Sequence, residues 1–239
     1  MMIDMHTHVL PGIDDGPKDW ETSLNMLAEC TKLGVKKVIA TPHFYPWKKN
    51  ASVAEVKKMC KQAMEKFRER FDSEIEVYSG HEIYYSSESM RKLKAGEILT
   101  LADSNYVLIE FSDNELFSVL YRAVREFVEN SYIPIIAHAE RYKCLYNESN
   151  LNTLIEGGAL LQVNVETFEN GILDQKKRWV KKQLKHKKID FCESDMHNMS
   201  NRPPYSKERL QKVHKLVEPE YMEQLFRENC EKVISNLRL

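Results

Sequence analysis

Histidines and carboxylates of the kind that bind metal ions recur along this sequence, each placed just after a short apolar run. His6-Thr7-His8 closes the first run, with Asp14-Asp15 soon after it. His43 ends Ala40-Thr41-Pro42-His43, Glu82 lies in Gly80-His81-Glu82-Ile83, Glu110 ends the fourth run, His138 ends the fifth, and Asp195-Met196-His197 follows the last. In an extended strand His6 and His8 point to the same side, so both imidazoles can serve one ion. Asp15, Glu82, Glu110 and Asp195 add negative charge that can bridge neighbouring ions. A mixed nitrogen and oxygen set without thiolate suits zinc, manganese or iron. The set exceeds what one ion takes, so two or three ions are expected. His81, His186 and His214 read instead as surface or satisfied core histidines, and Asp14 as a turn residue rather than a ligand.

The elements that must position these groups can be read from the periodicity. Residues 2–6, 35–40, 75–78, 106–109, 133–137, 160–163 and 189–192 are strand candidates, several of them apolar nearly throughout, as in parallel strands buried on both faces. Helical patterns lie between them. Pro17 can open the first, whose stripe of Leu24, Leu27, Cys30 and Leu33 ends at Gly34. Ser52 with Glu55 reads as a capping box before Val56, Cys60, Met64 and Phe67. Residues 116–130 and 175–186 are further helices, and the segment after Pro204 reads as helical almost to the end. Alternating strands and helices imply a parallel sheet, and seven strands fit a closed, irregular barrel better than a flat doubly wound sheet. Active sites of α/β barrels are built where the carboxyl ends of the strands converge, which is where these residues fall.

Composition narrows the partners. The chain has 239 residues and a net charge of −1, with no apolar run near the roughly 18 residues of a membrane span. Balanced charge gives no global attraction for nucleic acid. The amino terminus has no basic stretch leading into an apolar one, and Cys30, Cys60, Cys144, Cys192 and Cys230 are scattered and odd in number. Both features point to free thiols in the cytoplasm. One domain spanning 1–239 is expected.

His6-Thr7-His8, Thr41-Pro42-His43, Glu82, His138 and Ser194-Asp195-Met196-His197 resemble the polymerase and histidinol phosphatase (PHP) superfamily of metal-dependent phosphoesterases. Within it, Ile3-Asp4-Met5-His6-Thr7-His8, Asp14-Asp15-Gly16, Leu108-Ile109-Glu110-Phe111, Ile136 to Tyr142, and Ser194-Asp195-Met196-His197-Asn198 with Arg202-Pro203-Pro204-Tyr205 resemble the bacterial manganese-dependent tyrosine phosphatases of capsule and exopolysaccharide synthesis. The resemblance implies a distorted (β/α)7 TIM-like barrel with a trinuclear site. His6, His8, Glu82 and Asp195 would hold the first ion. Glu82, Glu110 and His138 would hold the second, and Asp15, His43 and His197 the third. Arg141 and Arg202 would bind the phosphate. Manganese is the implied metal, with iron or zinc as alternatives, and the implied partner is a membrane-associated bacterial tyrosine kinase whose tyrosine-rich tail this enzyme would dephosphorylate in the cytoplasm. Ala139, His81 and Glu193 depart from the family pattern. Glu193 would face the site in a regular strand and is expected to turn away after a local bend.

Adjacent cations lower the pKa of a bridging water from about 16 to near 7, making hydroxide available for in-line attack on phosphorus. Phenolate leaves readily because tyrosine has a pKa of about 10, so no dedicated general acid is named; a water near Glu110 or Asp195 could serve. The thiol route of other tyrosine phosphatases needs an arginine six positions after a cysteine, where this chain has Lys36, Lys66, Asn150, Asn198 and Asn236. The alternatives are a small-molecule phosphatase of the histidinol phosphate type, then a nuclease, and a non-catalytic metal-bound partner of the kinase. The loop Phe44-Tyr45-Pro46-Trp47 with Lys48 and Lys49 could grip an acidic phosphopeptide or could be a partly buried aromatic loop.

Overall fold

The computed structural model describes residues 1–169, 171 and 173–239. Its strands are all parallel and fall into two sheets, ordered β1-β2-β4 and β3-β5-β6-β7-β8-β9. The strands are β1 Met2–Thr7, β2 Val35–Ala40, β3 His43–Phe44, β4 Glu76–Ser79, β5 Glu82–Tyr84, β6 Tyr106–Glu110, β7 Ile133–Ile136, β8 Leu160–Asn164 and β9 Phe191–Glu193.

Nine strands stand where seven are expected, among the described residues, because two of the seven runs break and resume. Pro42 has no N–H to donate, and the ladder of β2 stops before it and restarts at β3. Gly80-His81 divides β4 from β5 in the same way. Backbone hydrogen bonds carry the pairing across both breaks, from Gly80 N to Ala40 O at 2.9 Å and from Glu82 N to Pro42 O at 3.2 Å. At the far edge the chain after β9 lies against β1, through a parallel bridge between Thr7 and Met196. His8 N donates to Met196 O at 2.9 Å and Asp195 N to His6 O at 3.0 Å. The first and last strands therefore meet, and the curled sheet is not the flat doubly wound alternative.

Alternation along the strands separates two cores. Ile3, Met5, Ile39, Tyr106, Leu108, Ile135, Ala137 and Phe191 pack together with Cys230 and Val233 of the last helix. Val107, Ile109, Ile136, Leu161 and Val163, of the opposite parity, pack on helix residues such as Leu120, Phe127 and Leu154. The parity of Tyr106 and Leu108 continues to Glu110 at the end of β6. On β1 the register slips, so that Asp4 to Thr7 faces only Val38 to Ala40 on β2. An extra residue of this kind re-aims side chains, and here it accompanies the turn of His6 and His8 toward the other strand ends.

The helices close on local signals. α1 (Trp20–Lys32) begins later than Pro17, because Asp19 is the residue whose side chain accepts from the N–H of Thr22 at 2.8 Å. Gly34, at φ +90°, ends the turn that follows it. α2 (Val53–Phe71) starts at Ser52, which accepts from Glu55 N at 3.2 Å. α3 (Ser87–Lys94) and α5 (Glu148–Glu156) were not anticipated, although Ser86 and Asn147 cap them. α4 is Phe117–Glu129 and α6 is Gln175–Lys185. The helical segment after Pro204 is broken once, between α7 (Lys207–His214) and α8 (Pro219–Glu223), where Pro219 starts a helix rather than continuing one; a π-helical stretch, Gln224–Glu228, joins α8 to α9 (Asn229–Ile234).

Gly16 folds the loop after β1 back onto the strand. A Cβ at this position would lie 2.5 Å from the backbone oxygen of His8. Gly16→Ala should therefore destabilise the fold by about 1–3 kcal/mol and displace Asp14 and Asp15. Denaturant unfolding of the metal-free protein checks this, and an unchanged midpoint would contradict it.

Candidate metal centre

The strand ends bring together all nine of the metal-type residues anticipated from the sequence. His6 Nε2 and His8 Nε2 are 3.4 Å apart. From Glu82 Oε2 they stand 3.4 and 3.3 Å away, and from Asp195 Oδ1 3.4 and 3.5 Å. Donors held about 2.1 Å from one ion in a tetrahedron would be spaced about 3.4 Å apart, so His6, His8 and Asp195 have the dimensions of part of a coordination shell, with Glu82 Oε2 at similar distances from both imidazoles.

The tautomers agree with that reading. His6 Nδ1 is 3.0 Å from Gln162 Oε1, His8 Nδ1 is 2.7 Å from Asp14 Oδ2, and His197 Nδ1 is 2.9 Å from the backbone oxygen of Asp195. Each oxygen fixes the ring hydrogen on Nδ1; in His6 and His8 this leaves the Nε2 lone pair facing the centre, whereas that of His197 accepts from Arg202 Nη1 at 2.8 Å. Asp195 is oriented likewise. Its Oδ2 accepts from Asn164 Nδ2 at 2.7 Å, Arg141 Nη2 at 3.0 Å and Arg202 Nη2 at 2.6 Å. Its Oδ1, fully buried, has no hydrogen-bond partner, and neither have Glu82 Oε2, Glu110 Oε1 or His43 Nδ1. Buried polar atoms without a well-directed hydrogen bond are costly; three of these four cluster, His43 Nδ1 lying 2.9 Å from Glu82 Oε2 and 3.0 Å from Glu110 Oε1, and such crowded donors fit cations.

Three details of the ligand grouping differ from the expected one: the compact group of His6, His8 and Asp195 leaves out Glu82, and the other two concern His43 and His8. His43 is paired in register with Glu82 through β3 and β5, and its ring faces both ways. Its Nδ1 is 2.9 Å from Glu82 Oε2 and 3.0 Å from Glu110 Oε1, while its Nε2 is 3.3 Å from Asp15 Oδ1. The compact group around Glu82 and Glu110 thus includes His43, and the group of Asp15, His43 and His197 includes His8. His138 adjoins the former, with Nε2 2.7 Å from Glu82 Oε1 and 3.8 Å from Glu110 Oε2. His197 Nε2 is 3.2 Å from Asp15 Oδ1. Asp15 is the exposed member, its side chain 60% accessible at the mouth of the site.

Electrostatics record the unbalanced negative charge. Burial alone would push His6, His8 and His43 down, yet all three are raised, His6 by Glu82 and Asp195, His8 to about 9 chiefly by Asp14, and His43 by Glu82, Asp15 and Glu110. Glu82 and Asp195 are held below the ordinary carboxylate range against their burial, by His6 in both cases, with His43 helping the former and Arg202 the latter. His197 is lowered, by burial and then by His8. The backbone is strained here too, since His138 and Asp195 have φ of +35° and +52°.

Several residues near the centre differ from, or were absent from, the sequence reading. Asp14 lies in the bend after β1 and outside the ligand groups, as expected, and its enclosed carboxylate also orients His8 and accepts from Gly16 N at 2.9 Å and His43 N at 3.2 Å. Gln162 and Asn164 were missed, although both stand near the end of an anticipated strand, and that position was the available signal. Gln162 Oε1 also accepts from His138 N at 2.8 Å. Glu193 turns away from the centre, as expected, and accepts from Met5 N and the Tyr205 hydroxyl, both at 3.0 Å. His81 is a satisfied core histidine: Leu99 N donates to its Nδ1 at 2.9 Å, and burial pushes it down to about 4. His186 and His214 are exposed. Arg141 and Arg202 are no surface ion pairs, since both reach the buried Asp195.

The chain was compared with known proteins. The family model for capsular polysaccharide synthesis, CpsB/CapC, matches residues 2–235. The tyrosine-protein phosphatase CpsB of Streptococcus pneumoniae is 32% identical over 239 residues, covering 98% of each chain. The tyrosine-protein phosphatase YwqE of Bacillus subtilis is 30% identical over 236 residues, covering 98% of this chain and 92% of its own. A solved structure from work on YwqE and CpsB, described as metal-dependent tyrosine phosphatases, superposes with a TM-score of 0.90 at 30% identity, covering 100% of this chain and 96% of the other. A histidinol phosphate phosphatase from Lactococcus lactis shares the fold at a TM-score of 0.58 and 12% identity, over 90% and 92% of the two chains. With its family model matched over nearly the whole length, this chain belongs to the CpsB/CapC family of capsular polysaccharide synthesis.

Proposed function

We propose that this chain is a metal-dependent protein-tyrosine phosphatase that hydrolyses phosphotyrosine on a bacterial tyrosine kinase controlling capsule or exopolysaccharide synthesis. It is a phosphoric monoester hydrolase. The observation that carries the reading is the convergence of His6, His8, Glu82 and Asp195 at ligand spacing, with buried oxygens left unpaired. The family and its named tyrosine phosphatases supply the substrate class. Counted through the breaks at Thr41-Pro42 and Gly80-His81, the sheet reads as a (β/α)7 barrel in one domain over 1–239. Manganese is the proposed metal and the cytoplasm the proposed location; no helix among the described residues is long and apolar enough to cross a membrane.

His6, His8, Glu82 and Asp195 would hold one ion, Glu82, Glu110 and His138 with His43 a second, and Asp15, His43 and His197 with His8 a third. Bound there, the cations would supply Lewis acidity at the phosphoryl group and acidify water. Arg141 and Arg202 each spend part of their guanidinium on Asp195 Oδ2 and remain 24% and 27% accessible, leaving donors for phosphoryl oxygens. Asp195, in turn, holds both forks in place beside the ions. Phenolate departs without a strong acid, since its pKa is about 10.

A cysteine nucleophile does not fit. Cys30, Cys60, Cys192 and Cys230 are buried, and Cys144 is partly exposed. Burial raises every one of these thiols, Cys60 to about 12.

Three outcomes are expected. Chelation should abolish phosphotyrosine hydrolysis and added manganese restore it, while alkylation of Cys144 leaves it intact; the reverse pattern would reject the mechanism. Arg141→Ala should lower kcat/KM on the order of 10²-fold with metal content unchanged, checked by steady-state kinetics and elemental analysis; full activity would remove Arg141 from the phosphate site. His8, raised to about 9, and His43, raised further, keep protons in the metal-free site at neutral pH. Metal must expel them, so affinity should rise between pH 6 and 8 by roughly tenfold per pH unit for each proton released. Calorimetry in buffers of different ionisation enthalpy reads this directly, and pH-independent affinity would contradict it.

A further inference from the structure

Beside the centre runs a row of aromatic rings that the chemistry above does not use. Tyr45 follows His43 on the continuation of β3, and Tyr84 follows Glu82 on β5, so the paired strands that carry two site residues also carry two rings. The Tyr45 ring is 4.9 Å from His43, 5.4 Å from Trp47 and 5.8 Å from Tyr84, and Trp47 stands edge-on to Tyr84 at 4.7 Å. Trp47 nevertheless remains 62% exposed. The loop holding it is fixed: Asn50 Oδ1 accepts from Tyr45 N at 2.9 Å, and Asn50 Nδ2 donates to the carbonyls of Tyr45 and Lys48 at 2.8 and 3.0 Å. Lys48 Nζ lies 4.2 Å from the Tyr45 ring centre, and Lys49 is exposed next to it. On the other side of Tyr45, a cleft of about 150 Å³ lies between Asp15, His43, Lys48, Lys49 and Asn50, and Trp47 and Tyr84 are not part of its lining.

An exposed tryptophan held rigid beside a polar centre is a surface prepared for an apolar, planar ligand. We propose that Tyr45, Trp47 and Tyr84 form the wall against which the phenyl ring of the phosphorylated residue lies, making the enzyme select aryl over alkyl phosphate esters. The proposal rests on the phosphatase reading and names its specificity element. With the phosphate at Arg141, Arg202 and the strand-end ligands, the ring of phosphotyrosine extends outward past His43, along the row. Phosphoserine has no ring to lay there and forfeits the contact. Lys48, over the Tyr45 ring, and Lys49 beside it favour acidic residues flanking the tyrosine.

The test uses the metal-loaded full chain and a peptide carrying a non-hydrolysable phosphonate analogue of phosphotyrosine, with binding followed by calorimetry. Trp47→Ala should weaken binding about tenfold, and Trp47→Phe should retain most of it. In kinetics, the ratio of kcat/KM for a phosphotyrosyl peptide to that for a phosphoseryl peptide should fall about tenfold in Trp47→Ala, through KM rather than kcat. Binding and ratio both within about twofold of the unmodified protein would overturn the proposal while leaving the phosphatase reading in place. Absence of phosphotyrosine turnover in the unmodified protein would overturn that reading first.

Discussion

Glu82 and Asp195 carry charge on side chains that water does not reach, and each keeps one oxygen unsatisfied. Taking a carboxylate out of water costs several kcal/mol even after relaxation, so such a pair persists only beside compensating positive charge. Here that compensation is shared between Arg141 and Arg202 on one oxygen of Asp195 and the histidine edges on the other. Much of the architecture follows from this demand. The curl of the sheet brings β1 against the segment after β9, and the slip in β1 accompanies the turn of its histidines. Asp14, Gln162 and the Asp195 carbonyl then fix the ring nitrogens that stay free.

The same arrangement explains why the protein separates charge from core so sharply. Below the strand ends, Tyr106, Leu108, Ile135 and Phe191 fill the interior with apolar side chains, and above them the same inward parity yields Glu110, Gln162 and Asn164. One alternating pattern thus builds a rigid floor and a polar mouth, and the floor holds the ligands to fixed spacing. The arginines, 24% and 27% accessible, are far less enclosed than the Asp195 they hold, which suits groups that must admit a phosphate.

Much of this was legible in the sequence, for a physical reason. Short apolar runs followed by His, Asp or Glu put burial and metal-type chemistry next to one another, so the nine strand-end residues could be named from spacing alone. Only the resemblance to a family singled out Arg141 and Arg202. Other features depended on tertiary contacts that no local pattern encodes. Asp14 looks like any turn aspartate until His8 is seen against it. His43 serves two groups because β3 pairs with β5, a strand too short to show a period. The extra strand breaks come from Pro42 and Gly80, whose effect on the ladder was visible only once their neighbours were placed. Helix starts moved from Pro17 to Asp19 because a side-chain acceptor for Thr22 N decides the cap.

The central claim is that the strand-end cluster cages more than one cation. Anomalous diffraction at the manganese edge, on crystals of protein purified with manganese and without chelator, tests it most directly. Two or three peaks per chain, the strongest between His6, His8, Glu82 and Asp195, are the predicted result. A single peak, or none within reach of Glu82, would contradict it.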